Sequence, residues 1–475
     1  MINDILNIML PQACLAFFIL IELLLSLFIS EKKFEIARMT SAIGVSLSIV
    51  LLSTVQTEPQ CFGMRGAIMS DSYTLLFHFI ILLCGFFVIL LTKNLTETIK
   101  KNAFSFHAIL LTAIFGALNI VSSNDFLTLF VSIELLAFPT YFLIASNKGY
   151  ISKEASFKYL ITNAVSTGVF LFGASYLYGL TSSLNFNEIY EIIVEQQTSI
   201  IYSFATILTV LGLISKLAIF PFANWVIDVY KGSETSILAF LTTIPKLAIF
   251  GILCRLLVFP LSGTFELTII LAILALVTAA WANTYAIREK NLKVILACSA
   301  SANASYVLLA ASLVSVYNLS TVIFYLICYT LMNLTVFGFL NIAEYNTIKM
   351  NFNDFKGLFK TNPSIVLAYT ISIIGLAGFP ITSGFIAKIY LFSAIAHSGL
   401  IFLPFLIALL ILTVVAVFYY LKILHPLFEK IEQPIILSQS FSQKFVIFFT
   451  IFVTVLIGIY PEKLVELCRF IAYNI

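Results

Sequence analysis

The chain has 475 residues, 61% of them apolar, and only 10% charged (26 Lys plus Arg, 23 Asp plus Glu). Soluble domains carry roughly 25% charge, so a soluble globule, a disordered chain and a secreted disulfide scaffold are excluded. A net charge of +3 is too small to suggest nucleic acid or an acidic substrate.

A bilayer-crossing helix needs about 20 mostly apolar residues. Runs of that kind occupy 5–29, 37–55, 73–92, 104–122, 125–146, 159–180 and 199–224. Seven more follow at 235–254, 267–286, 294–314, 318–342, 363–392, 399–421 and 445–460. The first lacks a basic segment ahead of it and is too long for a cleaved leader, so it reads as a retained helix; it carries Glu22. The fourth and fifth are split only by Ser122-Ser123-Asn124, the tenth and eleventh only by Val316-Tyr317-Asn318. Asp125 opens the fifth as an expected N-cap. The runs are long and continuous, without the ten-residue alternation of a barrel, so the fold class is all-α integral membrane with fourteen spans.

Basic residues test the count independently. With the N-terminus outside, nineteen lysines and arginines fall on inside connections, beginning with Lys32, Lys33 and Arg38 and including Lys148. Four lie outside: Arg65, Arg255, Lys463 and Arg469. Arg255 reads as reaching for the outer interface. Both termini are expected on the outer side of the membrane. No connection has room for a soluble domain or carries a GxGxxG or P-loop motif. Seven cysteines form no CxxC pair, and four histidines (His78, His107, His397, His425) are too few for a metal or haem reading. His78 and His425 read as core or interfacial groups.

Three lysines and at least one glutamate remain deep inside spans. Glu134 lies mid-run in VSIELLAFPTYFLIA, Lys216 precedes Pro221, Lys246 follows Pro245, and Lys388 follows the GFPITSG break at 378–384. Each costs about 2.5–3.5 kcal/mol at a helix centre, so they must face the bundle interior. Proline frees backbone carbonyls, which is tolerated at that depth only against protein or a hydrated cavity. Burial disfavours a charged lysine in general, and a carboxylate beside it restores the charge. A swing of three pKa units is about 4 kcal/mol. Driving a proton against about 150 mV costs a similar ~3.5 kcal/mol, so a carboxylate–lysine switch suffices energetically for transport.

Spans four to eight and nine to thirteen form two blocks of five. An odd number makes them start on opposite faces, which is the arithmetic of an inverted repeat with broken helices at spans 7 and 12. The expected organisation is 1–103 (three spans), 104–259 (first repeat), 260–424 (second repeat) and 425–475 (last span).

The stretches VSIELLAFPTYFLIA, SKLAIFPFANWVIDVYKGSETSILAFLTTIPKLAIFG, NLKVILACSASANASY and GLAGFPITSGFIAKIYLF resemble the subunit N family of bacterial NADH-quinone oxidoreductase, respiratory complex I, over about 104–424. The DVYKGSET and IPK segments set it apart from the sister subunits L and M. The resemblance implies an antiporter-like proton channel in the membrane arm, with Glu134 and Lys216 as the paired switch. Lys246 would be the central relay and Lys388 the group leading outward. It implies no cofactor in this chain: flavin (FMN), iron–sulfur clusters and the quinone site belong to other subunits. Partners would be those subunits, membrane lipids and protons, with no nucleic acid. The chain departs from the family at Asn303, where relatives often carry histidine; transfer between Lys246 and Lys388 would then pass through water. Lys293 and Arg288 still supply basic groups at the inner end of that span. Two other readings stand beside this one: an Mrp-type cation/proton antiporter subunit, separable by co-purification with a quinone reductase, and a structural anchor whose charges only tie helices together.

Overall fold

The computed structural model describes residues 8–28, 34–55, 60–95, 97–147, 149–196, 200–261, 265–430 and 436–474. Lys32, Lys33 and Lys148 of the basic tally lie outside them. The described chain is helical almost throughout: α1 Leu10–Phe28, α2 Phe34–Leu51, α3 Ser72–Leu91, α4 Ala103–Ser122, α5 Phe126–Ala145 and α6 Tyr150–Thr181. Then come α7 Phe186–Gln196, α8 Ile200–Ile214, α9 Trp225–Gly232, α10 Thr235–Val258, α11 Phe265–Arg288 and α12 Leu292–Ser312. The last third holds α13 Val316–Tyr345, α14 Pro363–Ala377, α15 Ser383–His397, α16 Leu403–Leu424, α17 Phe441–Ile459 and α18 Glu462–Tyr473. Among the described residues, thirteen helices are long and apolar enough to cross a membrane.

Short polar residues set where the helices begin. Asp125, the expected N-cap, accepts from Thr128 N at 2.6 Å; Asp71 does the same for Thr74 N at 2.7 Å, and Ser440 with Gln443 forms a capping box on α17. The run 363–392 is two fifteen-residue helices, α14 and α15, separated by 378–382. Gly378 ends α14 at φ +89°, a left-handed turn that glycine adopts without steric cost. The run 199–224 stays helical only to Leu217, through a 3₁₀ turn at Ser215–Leu217. Residues 218–224 are irregular, with Ala218 at φ +59°.

Almost every residue of α10 and α12 is buried, as expected of helices apolar on all sides, and α13 is nearly so. These three make the core. By contrast α1 and α16 leave most of their surface exposed. Two amphipathic helices were not expected, α7 and α18. Their apolar residues recur at helical spacing (Phe186, Ile189; Val465, Cys468, Ile471) and are buried. The hairpin β1 Cys61–Gly63 and β2 Ile68–Ser70 was not expected either; it pairs antiparallel with Phe62 opposite Met69.

Arg255 does not reach for an interface. It is 1% exposed, donates to Asp71 Oδ2 at 2.6 Å and lies 5.1 Å from the Tyr73 ring. A buried carboxylate on the N-cap of α3 makes this inward pairing possible, and the pair ties α3 to α10. Glu22 also turns inward, accepting from Ser41 Oγ at 2.7 Å and from Thr40. His78 is buried against Leu118 O at 2.9 Å, whereas His425 is at the surface, 3.2 Å from Glu429.

Main-chain bonds tie the helix starts to one another in a recurring way. Phe126 N donates to Leu184 O at 3.1 Å and Phe186 N to Asn124 O at 3.0 Å. Leu292 N donates to Met350 O at 2.7 Å and Phe352 N to Lys290 O at 3.2 Å. All four residues of the second bridge lie 166 positions beyond their counterparts in the first.

Candidate proton-relay site

α5 carries Glu134 half-buried toward α6, and the 3₁₀ turn after α8 carries Lys216 buried against the same helix. They meet through Thr167 of α6. Its hydroxyl donates to Glu134 Oε1 at 2.9 Å and accepts from Lys216 Nζ at 3.4 Å. Asn163, one turn earlier, accepts from the same ammonium through Oδ1 at 3.4 Å. A hydroxyl that donates to a carboxylate and accepts from an ammonium can pass a proton between them by exchanging its own. On its other side Glu134 lines a groove of about 390 Å³ between α4 and α5, walled by Ile109, Val131, Phe138 and Phe142.

Lys246 lies at the middle of α10 and points into α12 and α13. Nζ donates to Ala300 O at 2.6 Å and to Tyr329 OH at 3.3 Å. Beside it is a cavity of about 10 Å³ lined by Lys246, Asn303, Tyr325 and Tyr329, at the lower edge of what admits one water. Asn303 is fully engaged there: Tyr325 OH donates to Oδ1 at 2.6 Å, and Nδ2 reaches Ser299 O at 2.8 Å and Tyr420 OH at 3.3 Å. Tyr420 and Ser299 are 2.6 Å apart. Across this cavity, Tyr325, Asn303, Ser299 and Tyr420 form a hydrogen-bonded chain that reaches α16.

Lys388 caps α14. Its Nζ donates to Leu376 O at 2.7 Å and Ala377 O at 3.0 Å, where the helix dipole favours a cation, and it lies 5.6 Å from the Tyr306 ring. Lys293 is buried, pairs with Glu344 at 2.5 Å and donates to Ser233 O at 2.8 Å. Glu344 in turn accepts from Thr235 N at 2.7 Å, which pins the start of α10.

Of the four expected groups, Glu134 and Lys216 come together through Thr167, while Lys246 and Lys388 each have their own set of partners. Sequence reasoning missed Asn163, Thr167, Tyr329 and the Lys293–Glu344 pair. The polar cluster Thr162, Asn163, Ser166 and Thr167 within the sixth apolar run was the available signal. Among the described residues no group of three or more His, Cys, Asp or Glu side chains could hold a metal, and Cys14, Cys84, Cys254, Cys298, Cys328 and Cys468 are free thiols.

Residues 123–416 match the family described as NADH:quinone oxidoreductase/Mrp antiporter, TM. The chain is similar to the NADH-quinone oxidoreductase subunit N of Bacillus anthracis, with 32% identity covering 96% of this chain and 93% of that protein. Subunit N of Pelagibacter ubique is 28% identical, covering 98% of each. Among solved structures, a chain of respiratory complex I from Thermus thermophilus with bound aureothin superposes with TM-score 0.83 at 25% identity, covering 96% of this chain and 98% of that one. A chain of the Mrp complex from Dietzia sp. DQ12-45-1b shares the fold, with TM-score 0.84 at 19% identity, covering 98% and 97%.

Proposed function

The chain belongs to the family of membrane subunits common to NADH:quinone oxidoreductases and Mrp antiporters, and we propose that it is the proton-translocating, antiporter-like membrane-arm subunit of an NADH-quinone oxidoreductase. Electron transfer from NADH to quinone takes place in other subunits, which hold the flavin, the iron–sulfur clusters and the quinone. This chain moves the protons. The subunit N relatives favour this reading over an Mrp-type antiporter, whose likeness at 19% identity is one of fold.

The observation that carries it is the Glu134–Thr167–Lys216 link, a carboxylate and an ammonium joined by one exchangeable hydroxyl. While Glu134 is ionised it holds the proton on Lys216, and when the carboxyl is neutralised the buried ammonium gives its proton up. Lys246 is the central relay, passing toward Lys388 through water in the cavity and the Tyr325 and Tyr420 hydroxyls that Asn303 joins. Lys388 releases toward the outer face. A glutamate lining an open groove at bilayer depth needs cover, and a neighbouring membrane-arm subunit supplies it.

The repeated main-chain bridge supports the two five-helix repeats, 104–259 and 260–424, flanked by 1–103 and 425–475. Counting α14 and α15 as one broken crossing gives fourteen spans, with a second break after Lys216. The basic tally supports an inner membrane protein with both termini outside.

Glu134→Gln tests the reading in the assembled complex. NADH oxidation by an artificial acceptor is expected to persist, while proton pumping and coupled quinone reduction fall severalfold. Undiminished pumping per NADH overturns it, and loss of all activities together marks failed assembly, in which case Lys216→Arg is read instead: it keeps the charge but not the proton donor, and the same outcomes apply.

A further inference from the structure

The bridge that recurs at an offset of 166 fixes a register between the two halves, and the helix starts agree. Phe126 and Leu292 begin α5 and α12, and Tyr150 and Val316 begin α6 and α13, each pair 166 apart. In this register Glu134 corresponds to Ala300, Asn163 to Tyr329 and Thr167 to Asn333. Lys216 is held at 163 and 167, with Glu134 behind them. Lys246 is held at 300 and 329. The two lysines therefore occupy equivalent places in the two halves, although both belong to the first.

We propose that the Lys246 pocket is a second copy of the Glu134–Lys216 switch from which the carboxylate has been removed, with Tyr329 as the proton partner of Lys246 and Ala300 as the position that keeps it unpaired. This deepens, and rests on, the proton-relay reading above. At 134 a carboxylate can hold the neighbouring lysine charged; at 300 only a main-chain dipole faces it. The ammonium of Lys246 gives a proton to the Tyr329 oxygen while the phenol's own O–H proton passes to a water in the adjoining cavity. The lysine is left neutral, the tyrosine unchanged, and one proton has advanced toward Asn303 and Tyr325. Asn333, the counterpart of Thr167, donates to the main-chain carbonyl of Tyr329 at 2.8 Å.

The test compares Ala300→Asp, Ala300→Asn and Tyr329→Phe in the assembled complex in inverted membrane vesicles, reading protons pumped per NADH. Asp and Asn have the same size, so their difference isolates the charge. Ala300→Asp is expected to pump about tenfold less than Ala300→Asn, and Tyr329→Phe about tenfold less than the parent, each equal to ~1.4 kcal/mol on the transfer step. Equal pumping by the two residue-300 variants, or parental pumping by Tyr329→Phe, overturns the proposal. If the residue-300 variants do not assemble, Tyr329→Phe, which removes a single oxygen, decides alone. Glu134→Gln is measured alongside: if it too pumps normally, the relay reading itself has failed; if it is impaired while these are not, only the present inference has.

Discussion

At the scale of single residues, the molecule places its costliest groups where each has a partner. Arg255 and Asp71 are both almost fully buried and 2.6 Å apart. Removing one partner of such a pair leaves an uncompensated charge and costs about 3–5 kcal/mol. Arg255→Met is therefore expected to lower the apparent unfolding temperature of the purified complex, and an unchanged melting curve would contradict the pairing. Asn303 accepts the Tyr325 hydroxyl, so Asn303→Leu strands a buried donor at about 1–3 kcal/mol. Asn303→His keeps polar atoms in place and should assemble and pump; a loss of assembly on that change would count against the reading of this site. The four intramembrane charges were legible because an ion in an apolar run is anomalous by itself. Their partners were not, since Thr167 and Tyr329 look like ordinary polar residues until folding brings them to a lysine 49 and 83 positions away. Arg255 was misread for the same reason: its counter-ion is 184 residues off.

At the scale of elements, the spans could be read from length and apolarity, and the breaks from glycine and proline. What could not be read was the fit of one helix to another. A Cβ on Gly384 would lie 2.0 Å from Gly375 O, a main-chain atom that cannot move aside without shifting α14. Gly384→Ala should therefore abolish assembly, as judged by the chain's retention in the complex on native gels, and normal retention would refute the packing. Gly378→Ala is a milder case. The left-handed φ costs roughly 1–2 kcal/mol for alanine, and its Cβ would meet Lys388 Cδ at 2.8 Å. The complex should form, but with Lys388 displaced from its two carbonyls and pumping reduced. The helices α7 and α18 escaped notice because neither is long enough to span. Their buried apolar residues three positions apart were the signal.

At the scale of the whole molecule, the alternation of basic residues argues for both ends on the outer side. Alkaline phosphatase fused to the C-terminus should be active, and a green fluorescent protein fused there dark; the reverse pattern would invert the topology. The overall architecture follows from the core of α10, α12 and α13, helices without a polar face that other helices must surround. The groove beside Glu134 lies outside that core, between α4 and α5.

The placement of Lys246 carries a consequence for how such a gene can change. The residue is encoded in the first half, while the atoms that accept its hydrogen bonds, Ala300 O and Tyr329 OH, are encoded in the second. A polypeptide severed after α10 would yield two fragments, neither owning a finished central lysine site. Any lineage that split this gene in two would have to keep both products bound side by side, and duplication of one half alone could not rebuild the pump.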